Sequence, residues 1–362
     1  MALDGNGPKE MAGVEPLPMA FQYATIVDRL EQQKNQLPDN ERLSFRPTVL
    51  FTDFDKSYYW PDHHDEAVKV ATLAEKFAIP IVVVSGNSYE DMVQKIGQIN
   101  ASHPDNPLPW PDVIAGAIGT EIYIRRQTAD GSIKYERDDS FSQQITATGF
   151  DSQALSRSAA AAIEKGKLKQ WSFEPQPIKP LPFKLSFFTM ATEAEREQML
   201  KDLEVVFPTA PVISVAEQVE FHQAHEEEIT KGGKRRYCID FIPVEPKRFA
   251  TDYLIKILGI KRSFAVGDGG NDVNLIRNTL ANVGIITGGA TQQLQNEGLA
   301  EVPPQTQNFT GEFRKLRPGK RIFVATQAVA GSILEAAGKY LKIIRKIDHS
   351  PLIDQMLSDL EN

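Results

Sequence analysis

Residues Ile79 to Val84 make a strand-length run without one polar member, and it stops abruptly at Ser85-Gly86-Asn87-Ser88. A strand with one wet face alternates; a strand that is apolar throughout needs cover on both faces, as in a parallel sheet flanked by helices. The neighbouring sequence supplies that setting. A strand-like run ends at Phe51 or Thr52, and a helix is predicted from His63 to Phe77 with Val70, Leu73, Ala74 and Phe77 along one face. A second helix is predicted from Ser88 to Ile99, where Ser88 and Asp91 fit a capping pattern, and a short strand at Val113 to Ala115. Strand, helix, strand, helix, strand is the rhythm of an α/β sheet.

From Glu121 to about Gly233 the rhythm changes. Hairpin-like strands (Glu121 to Ile124, Ile133 to Tyr135), a helix (Ser152 to Lys167), a strand (Lys184 to Thr189), a helix (Thr192 to Phe207) and a strand (Gln218 to Gln223) predict an inserted α+β module. Alternation returns with strands at Tyr237 to Pro243, Ser263 to Val266 and Val283 to Ile286, and helices at Lys247 to Leu258 and Asp272 to Thr279. A last helix is predicted from about Thr326. The expected plan is a core from 45–120 and 237–345, an inserted module at 121–236, an N-terminal extension at 1–44 and a helical tail at 346–362. The extension is expected to be disordered to about residue 17, with a short helix within 18–36.

Charge narrows the partners. With 48 acidic against 40 basic residues the net charge is −8, whereas nucleic acid or an anionic membrane favours a basic excess. Small molecules or proteins remain as expected partners. Cys238 is the sole cysteine, so no internal disulfide is possible, and its strand-like surroundings predict a packed thiol. No apolar stretch approaches the ~18 residues of a membrane span and the first residues lack the marks of a signal peptide, so a cytoplasmic location is expected.

Chemistry concentrates where the strands stop. Asp53 and Asp55 follow the first strand one residue apart, so an extended chain would send both to one side, a costly arrangement unless a cation or a reaction uses it. Gly267-Asp268-Gly269-Gly270-Asn271-Asp272 follows another strand and leads into a helix. Its glycines permit a tight turn, and its carboxylates and amide are the hard oxygen ligands that Mg²⁺ prefers. An Asp-x-Asp pair arises by chance about once in a chain of this length, and a Gly/Asp/Asn cluster is commonly only a turn. Two such clusters at strand ends of one sheet, where open α/β sheets bind ligands, carry more weight. Ser85 sits in the same context, either beside a helix cap or donating its hydroxyl to a phosphate oxygen. Lys247 follows Pro246 at a predicted helix start, against the helix dipole, which is either a solvated surface position or one with a partner.

Two acids, a hydroxyl, a lysine and an acid cluster, in that order, resemble the four motifs of the haloacid dehalogenase superfamily of phosphohydrolases over residues of about 45 to 340. The resemblance implies a Rossmann-like core, mostly parallel with helices on both faces, and an inserted α+β cap of the second cap class. "GTEI" at 119–122 and "FKLSFF" at 183–188 resemble the sucrose-phosphatase-like branch, and with "FTDFDKSYY" and "IDFIP" they look closer still to kanosamine-6-phosphate phosphatase. By that likeness Asp53 would be the nucleophile that forms an aspartyl-phosphate, and Asp55 the acid and then the base. Mg²⁺ would be held by Asp53, the backbone carbonyl of Asp55 and Asp268, with Asp272 beside it orienting its waters and Lys247. Ser85, Gly86, Asn87, Lys247 and Asn271 would bind the phosphate. Glu121 and Lys184 are expected to read the sugar, with a hinge role for Glu121 and an exposed strand position for Lys184 as the plain alternatives. The reaction expected is hydrolysis of a hexose 6-phosphate, an amino-sugar 6-phosphate or a disaccharide phosphate; a phosphomutase or phosphotransferase, or a non-catalytic sugar-phosphate-binding protein, are the alternatives.

Two positions depart from the superfamily pattern. Where Asp-x-Asp usually continues Gly-Thr, this chain has Lys56-Ser57, keeping the hydroxyl but not the glycine. Where many relatives have Thr-Gly-Arg, it has Ser85-Gly86-Asn87. "HQAHEEE" at 222–228 lacks the His-Glu-x-x-His spacing of a zinc site and reads as a solvated segment, and His63-His64 reads as a surface pair at a helix start.

Overall fold

The computed structural model describes residues 23–37, 39, 42, 46–128, 131–164, 173–175, 181–207, 212–217, 233–278, 280, 282–299, 310–317, 320–345 and 351–361. In chain order the first elements are α1 (Ala24–Asn35), β1 (Thr48–Thr52), α2 (His64–Lys76), β2 (Ile81–Val84), α3 (Tyr89–Ser102), β3 (Val113–Gly116), β4 (Glu121–Gln127), β5 (Ile133–Arg137) and α4 (Asp139–Thr146). An inserted group follows: α5 (Ser152–Glu164), β6 (Phe173–Pro175), β7 (Leu185–Ala191), α6 (Glu193–Val206), β8 (Val212–Glu217) and β9 (Arg235–Ile242). The chain continues with α7 (Arg248–Ile257), β10 (Arg262–Gly267), α8 (Val273–Ile276), β11 (Val283–Ile286) and α9 (Gln292–Gly298). It closes with β12 (Phe313–Arg317), β13 (Lys320–Val324), α10 (Val329–Arg345) and α11 (Pro351–Glu361).

The main sheet has nine strands in the order β12-β13-β11-β10-β1-β2-β3-β4-β5. The strands from β13 to β3 run parallel, and β12 at one edge and β4 followed by β5 at the other are joined by antiparallel pairing. Alternation explains why β1 and β2 carry no polar face: Leu50, Ile81 and Val83 pack into one core with α2, α3 and α10, while Val49, Phe51, Val82 and Val84 pack into the other with α1, α4 and α7. An α/β sheet covered on both faces is what the apolar run at β2 predicts.

The second sheet is antiparallel, in the order β6-β7-β9-β8, with Leu155, Ala159 and Ala162 of α5 and Met199 and Leu203 of α6 in its core. Its membership corrects the expected boundaries of the insertion at both ends. β4 and β5 were expected in the inserted module, yet β4 pairs with β3 and buries Ile122 and Ile124 in the main core. The turn between them, with Ala117, Ile118 and Gly119 all at positive φ, is tight enough to return the chain directly onto β3. Conversely the strand at Tyr237 to Pro243 was expected to resume the core. As β9 it is the central strand of the inserted sheet, between β7 and β8, which is why it is apolar and buried.

Smaller differences follow local chemistry. The helix expected at Asp272 to Thr279 shortens to α8 behind a 3-10 turn at Gly270–Asp272, because the side chain of Asp272 folds back onto the preceding loop. The β12–β13 hairpin, α4, α9 and β6 are additional to the expected elements. The expected strand at Gln218 to Gln223, the "HQAHEEE" segment and the first 22 residues lie outside the described residues. Among the described residues no helix is long and apolar enough to cross a membrane.

Candidate active site

Register brings the motif residues together. Thr52 pairs with Val266 on one side and Val83 on the other, so Asp53, Gly267–Asp268 and Ser85 leave the sheet at one carboxyl-terminal edge. Asp53 is buried, and its N–H donates to Val266 O at 3.0 Å. Lys247 reaches the same place from the start of α7. Its backbone is left-handed at φ 56, its N–H donates to Ile118 O at 2.8 Å, and its side chain is fully buried. There Nζ contacts Asp53 Oδ1 and lies 2.5 Å from Asp272 Oδ1. The unfavourable helix-start lysine therefore has its reason: two carboxylates outweigh one helix dipole.

The loop after β10 is built around Asp272. Its Oδ2 accepts the N–H groups of Asp268 at 3.0 Å and Gly269 at 2.9 Å, so both of its oxygens are engaged by the protein. This close fold-back needs glycine at 267, where an added Cβ would stand 2.3 Å from Asp272 Cβ. Ser57 Oγ donates to Asp268 Oδ1 at 2.7 Å, which gives the hydroxyl retained in the first motif a partner.

Three buried acids, Asp53, Asp268 and Asp272, present oxygens within 4.8 Å of one another. At an effective dielectric of 20, each such pair repels by about 3–4 kcal/mol. Burial, then the neighbouring carboxylates, push Asp53 well above the usual range against the pull of Lys247. Burial and Asp272 push Asp268 up to about 7, opposed by the Ser57 hydrogen bond and the charges of Lys247 and Lys56. Lys247 is moved the other way: burial would lower it, but Asp272 and Asp53 hold it above the ordinary lysine range. A hard, oxygen-only donor set with more negative than positive charge fits a divalent ion such as Mg²⁺. Asp53 and Asp268 fit as ligands, whereas the engaged oxygens of Asp272 suit it to holding Lys247 and the loop.

The remaining expected residues frame this cluster. Asp55 turns to the side, with Oδ2 accepting from Asn87 Nδ2 at 3.0 Å and Oδ1 paired to Lys95 Nζ. Ser85 is buried and its Oγ accepts the N–H of Asn87 at 3.1 Å, while Ser88 caps α3. An added Cβ on Gly86 would lie 3.8 Å from Asn271 Nδ2, so Asn271 stands against the loop after β2.

Lys184 is not an exposed strand residue. It is buried, donates to Gly86 O at 3.0 Å and pairs with Asp240 of β9 at 3.3 Å, tying the inserted sheet to that same loop. Asp240 also accepts from Ser186 Oγ at 2.5 Å and Cys238 Sγ at 3.5 Å, and burial pushes the Cys238 thiol up, so this cysteine is packed as expected. Glu121 begins β4 opposite Gly116, buried, with Oε2 lacking a hydrogen-bond partner among the described residues. Burial and then the Glu90 carboxylate raise its pKa.

His64 is buried rather than superficial, stacked on His103 with centroids 3.8 Å apart. His63 lies 3.5 Å from Glu66. Neither histidine contacts the acid cluster. Lys95 is a site contact for which sequence offered no signal, a lone lysine inside an amphipathic helix.

The α/β fold, with the motif residues gathered at one edge of its parallel sheet, is the one that the resemblance to the haloacid dehalogenase superfamily implies. Residues 46–341 match the model of the sucrose-6F-phosphate phosphohydrolase family, and the chain belongs to that family. Among solved structures, the sucrose-phosphatase of Synechocystis sp. PCC6803, in complex with sucrose and phosphate, is 20% identical, with a TM-score of 0.54 over 81% of this chain and 97% of its own. The haloacid dehalogenase-like hydrolase yhjK of Bacillus subtilis is 14% identical, with a TM-score of 0.43 over 82% and 96%. No curated protein matches the sequence.

Proposed function

We propose that the chain is a Mg²⁺-dependent phosphatase of sugar phosphates that works through an aspartyl-phosphate on Asp53. The observation that carries this reading is the pairing of a buried carboxylate, Asp53, with the buried ammonium of Lys247 at the carboxyl edge of the parallel sheet. A carboxylate so placed is a nucleophile held in one orientation, and the ammonium stands ready to share its charge with transferring phosphoryl oxygens. Ser85 and the N–H groups heading α3 lie one strand away and suit the same oxygens. Asp55 would give a proton to the leaving sugar oxygen and take one from the attacking water. Mg²⁺ bound by Asp53 and Asp268 would offset the phosphate's charge as the anionic nucleophile approaches.

Glu121 and Lys184 remain the residues proposed to read the sugar. A buried carboxyl with one oxygen, Glu121 Oε2, lacking a hydrogen-bond partner among the described residues and a lysine at the junction of the two sheets are chemically suited to hydroxyl or amine groups. Family membership, with the sucrose and phosphate held by the Synechocystis enzyme, favours a sugar phosphate over other phosphomonoesters. Kanosamine 6-phosphate, glucose 6-phosphate, trehalose 6-phosphate and sucrose 6-phosphate form the test panel, with inorganic phosphate measured with and without Mg²⁺ and Asp53→Asn as control. Release from one substrate, abolished in the control, supports the reading. An isomeric sugar phosphate in place of free phosphate would make the protein a mutase, and silence across the panel would leave only a binding role.

A further inference from the structure

We infer that Lys95 is a positioning residue that, with Asn87, fixes the Asp55 carboxylate for the hydrolysis of the phosphorylated Asp53; the inference rests on the phosphatase reading above. Asp55 is held by one donor on each oxygen, Asn87 Nδ2 on Oδ2 at 3.0 Å and Lys95 Nζ on Oδ1. The two donors come from different places, one from the loop after β2 and one from within α3, so the carboxylate plane is defined rather than free to turn. Lys95 is itself guided: its ammonium stands 5.7 Å from the ring centroid of Phe54, a buried residue stacked on Tyr59.

Exposure decides what this pair is for. The Lys95 side chain is 41% exposed and that of Asp55 25%, so the ion pair adds little to stability in water. The same contact acts on the one acid flanking the nucleophile that is not among the clustered carboxylates. Each carboxylate oxygen has two lone pairs, so both donors can stay in place while a free lone pair faces a reacting proton. In the second half-reaction the oxygen of water bonds to phosphorus as the bond from phosphorus to the Asp53 oxygen breaks. One water proton passes to Asp55, Asp53 recovers its carboxylate and inorganic phosphate leaves. A carboxylate free to rotate would meet that water in fewer encounters, and orientation is a large part of what a general base contributes.

The test uses the full chain with p-nitrophenyl phosphate, whose leaving group departs without needing a proton and so isolates the second step. Lys95→Met is expected to lower kcat by about 10- to 100-fold with KM within about twofold. Its melting temperature should stay at the wild-type value, and a burst of about one equivalent of p-nitrophenolate per enzyme should precede slow turnover, because phosphorylation remains fast. Lys95→Arg should restore most of the rate, since it keeps a donor and a charge. An unchanged kcat in Lys95→Met would overturn the inference, as would a raised KM at constant kcat, which would place Lys95 on the substrate. A loss of rate that only follows a loss of melting temperature, without rescue by arginine, would make the residue structural. Wild-type protein inactive on this ester and on every sugar phosphate would overturn the phosphatase reading itself, and this inference with it.

Discussion

Removing the ammonium from the acid cluster is the sharpest test of how the site is held. Lys247 is fully buried and touches both Asp53 and Asp272, while Asp268 lies within the same 4.8 Å group. In Lys247→Met the apolar stem is retained and the charge is lost, leaving three carboxylates without the ammonium that contacts two of them. Deleting one partner of a buried ion pair costs about 3–5 kcal/mol. The repulsion of about 3–4 kcal/mol per carboxylate pair at an effective dielectric of 20 agrees in size. At about 2 °C per kcal/mol for a chain of this size, the melting temperature in EDTA at pH 8 should fall by roughly 5–10 °C. Adding Asp53→Asn should recover part of that loss, because it removes one of the uncompensated charges. Differential scanning calorimetry of the two single variants and the double variant gives the coupling directly. Melting of Lys247→Met within about 1 °C of wild type would refute the argument that this lysine compensates the cluster.

Other consequences follow from the same geometry. Asp268 has its pKa raised from 3.8 to about 7, so its contribution to the stability of the metal-free protein is fully present below about 4 and is lost as pH rises through about 7. In EDTA the melting temperature should therefore drop between about pH 4 and pH 7 and level off above that, Asp268→Asn should flatten that drop, and Mg²⁺ should raise the melting temperature more at pH 8, where protons no longer compete. Gly267→Ala should destabilise by at least about 2 kcal/mol and abolish turnover, since its Cβ would stand 2.3 Å from Asp272 Cβ; a folded, active variant would contradict the fold-back of that loop. Lys184→Met removes the contacts to Gly86 O and Asp240, and should raise KM for a sugar phosphate more than for p-nitrophenyl phosphate. Equal effects on both substrates would argue against a role in reading the sugar.

What the sequence made legible was whatever a local pattern encodes. The unbroken apolar run at β2 dictated a two-faced sheet, and the acids and hydroxyl directly after β1, β2 and β10 were visible because a strand's end fixes where the next side chain goes. The boundaries of the insertion were less visible because β9 is buried on nearly every residue and reads like a core strand, though its partners are β7 and β8. Burial is local in sequence, but the identity of the strand lying alongside is not. The same limit applies to Lys95, which meets Asp55 across 40 residues, and to Lys184, which meets Gly86 across 98. Nothing in the spacing of a lone lysine announces its partner.

Lys56, the departure from the superfamily pattern after Asp55, has a left-handed backbone. The superfamily pattern usually places glycine there, and Lys56 takes a conformation that glycine adopts readily, φ 59, at a cost of about 1 kcal/mol. The loop leaves it little choice: Lys56 N donates to Tyr59 O at 2.9 Å, and Phe54 O accepts from both Tyr58 N and Tyr59 N. Its ammonium stands 4.9 Å from the Trp60 centroid, with no hydrogen-bond partner among the described residues, an arrangement worth about 0.5–1 kcal/mol. Relief of the backbone and loss of the ring contact should nearly cancel, so Lys56→Gly is expected to melt within about 2 °C of wild type. What changes is charge, because Lys56 helps to hold the Asp268 pKa down. Without it Asp268 should titrate higher, and the pH at which EDTA-treated protein loses stability should move up. A melting profile whose pH dependence is unaltered would mean that the lysine is simply a ring-stacked replacement for glycine, electrostatically separate from the acids.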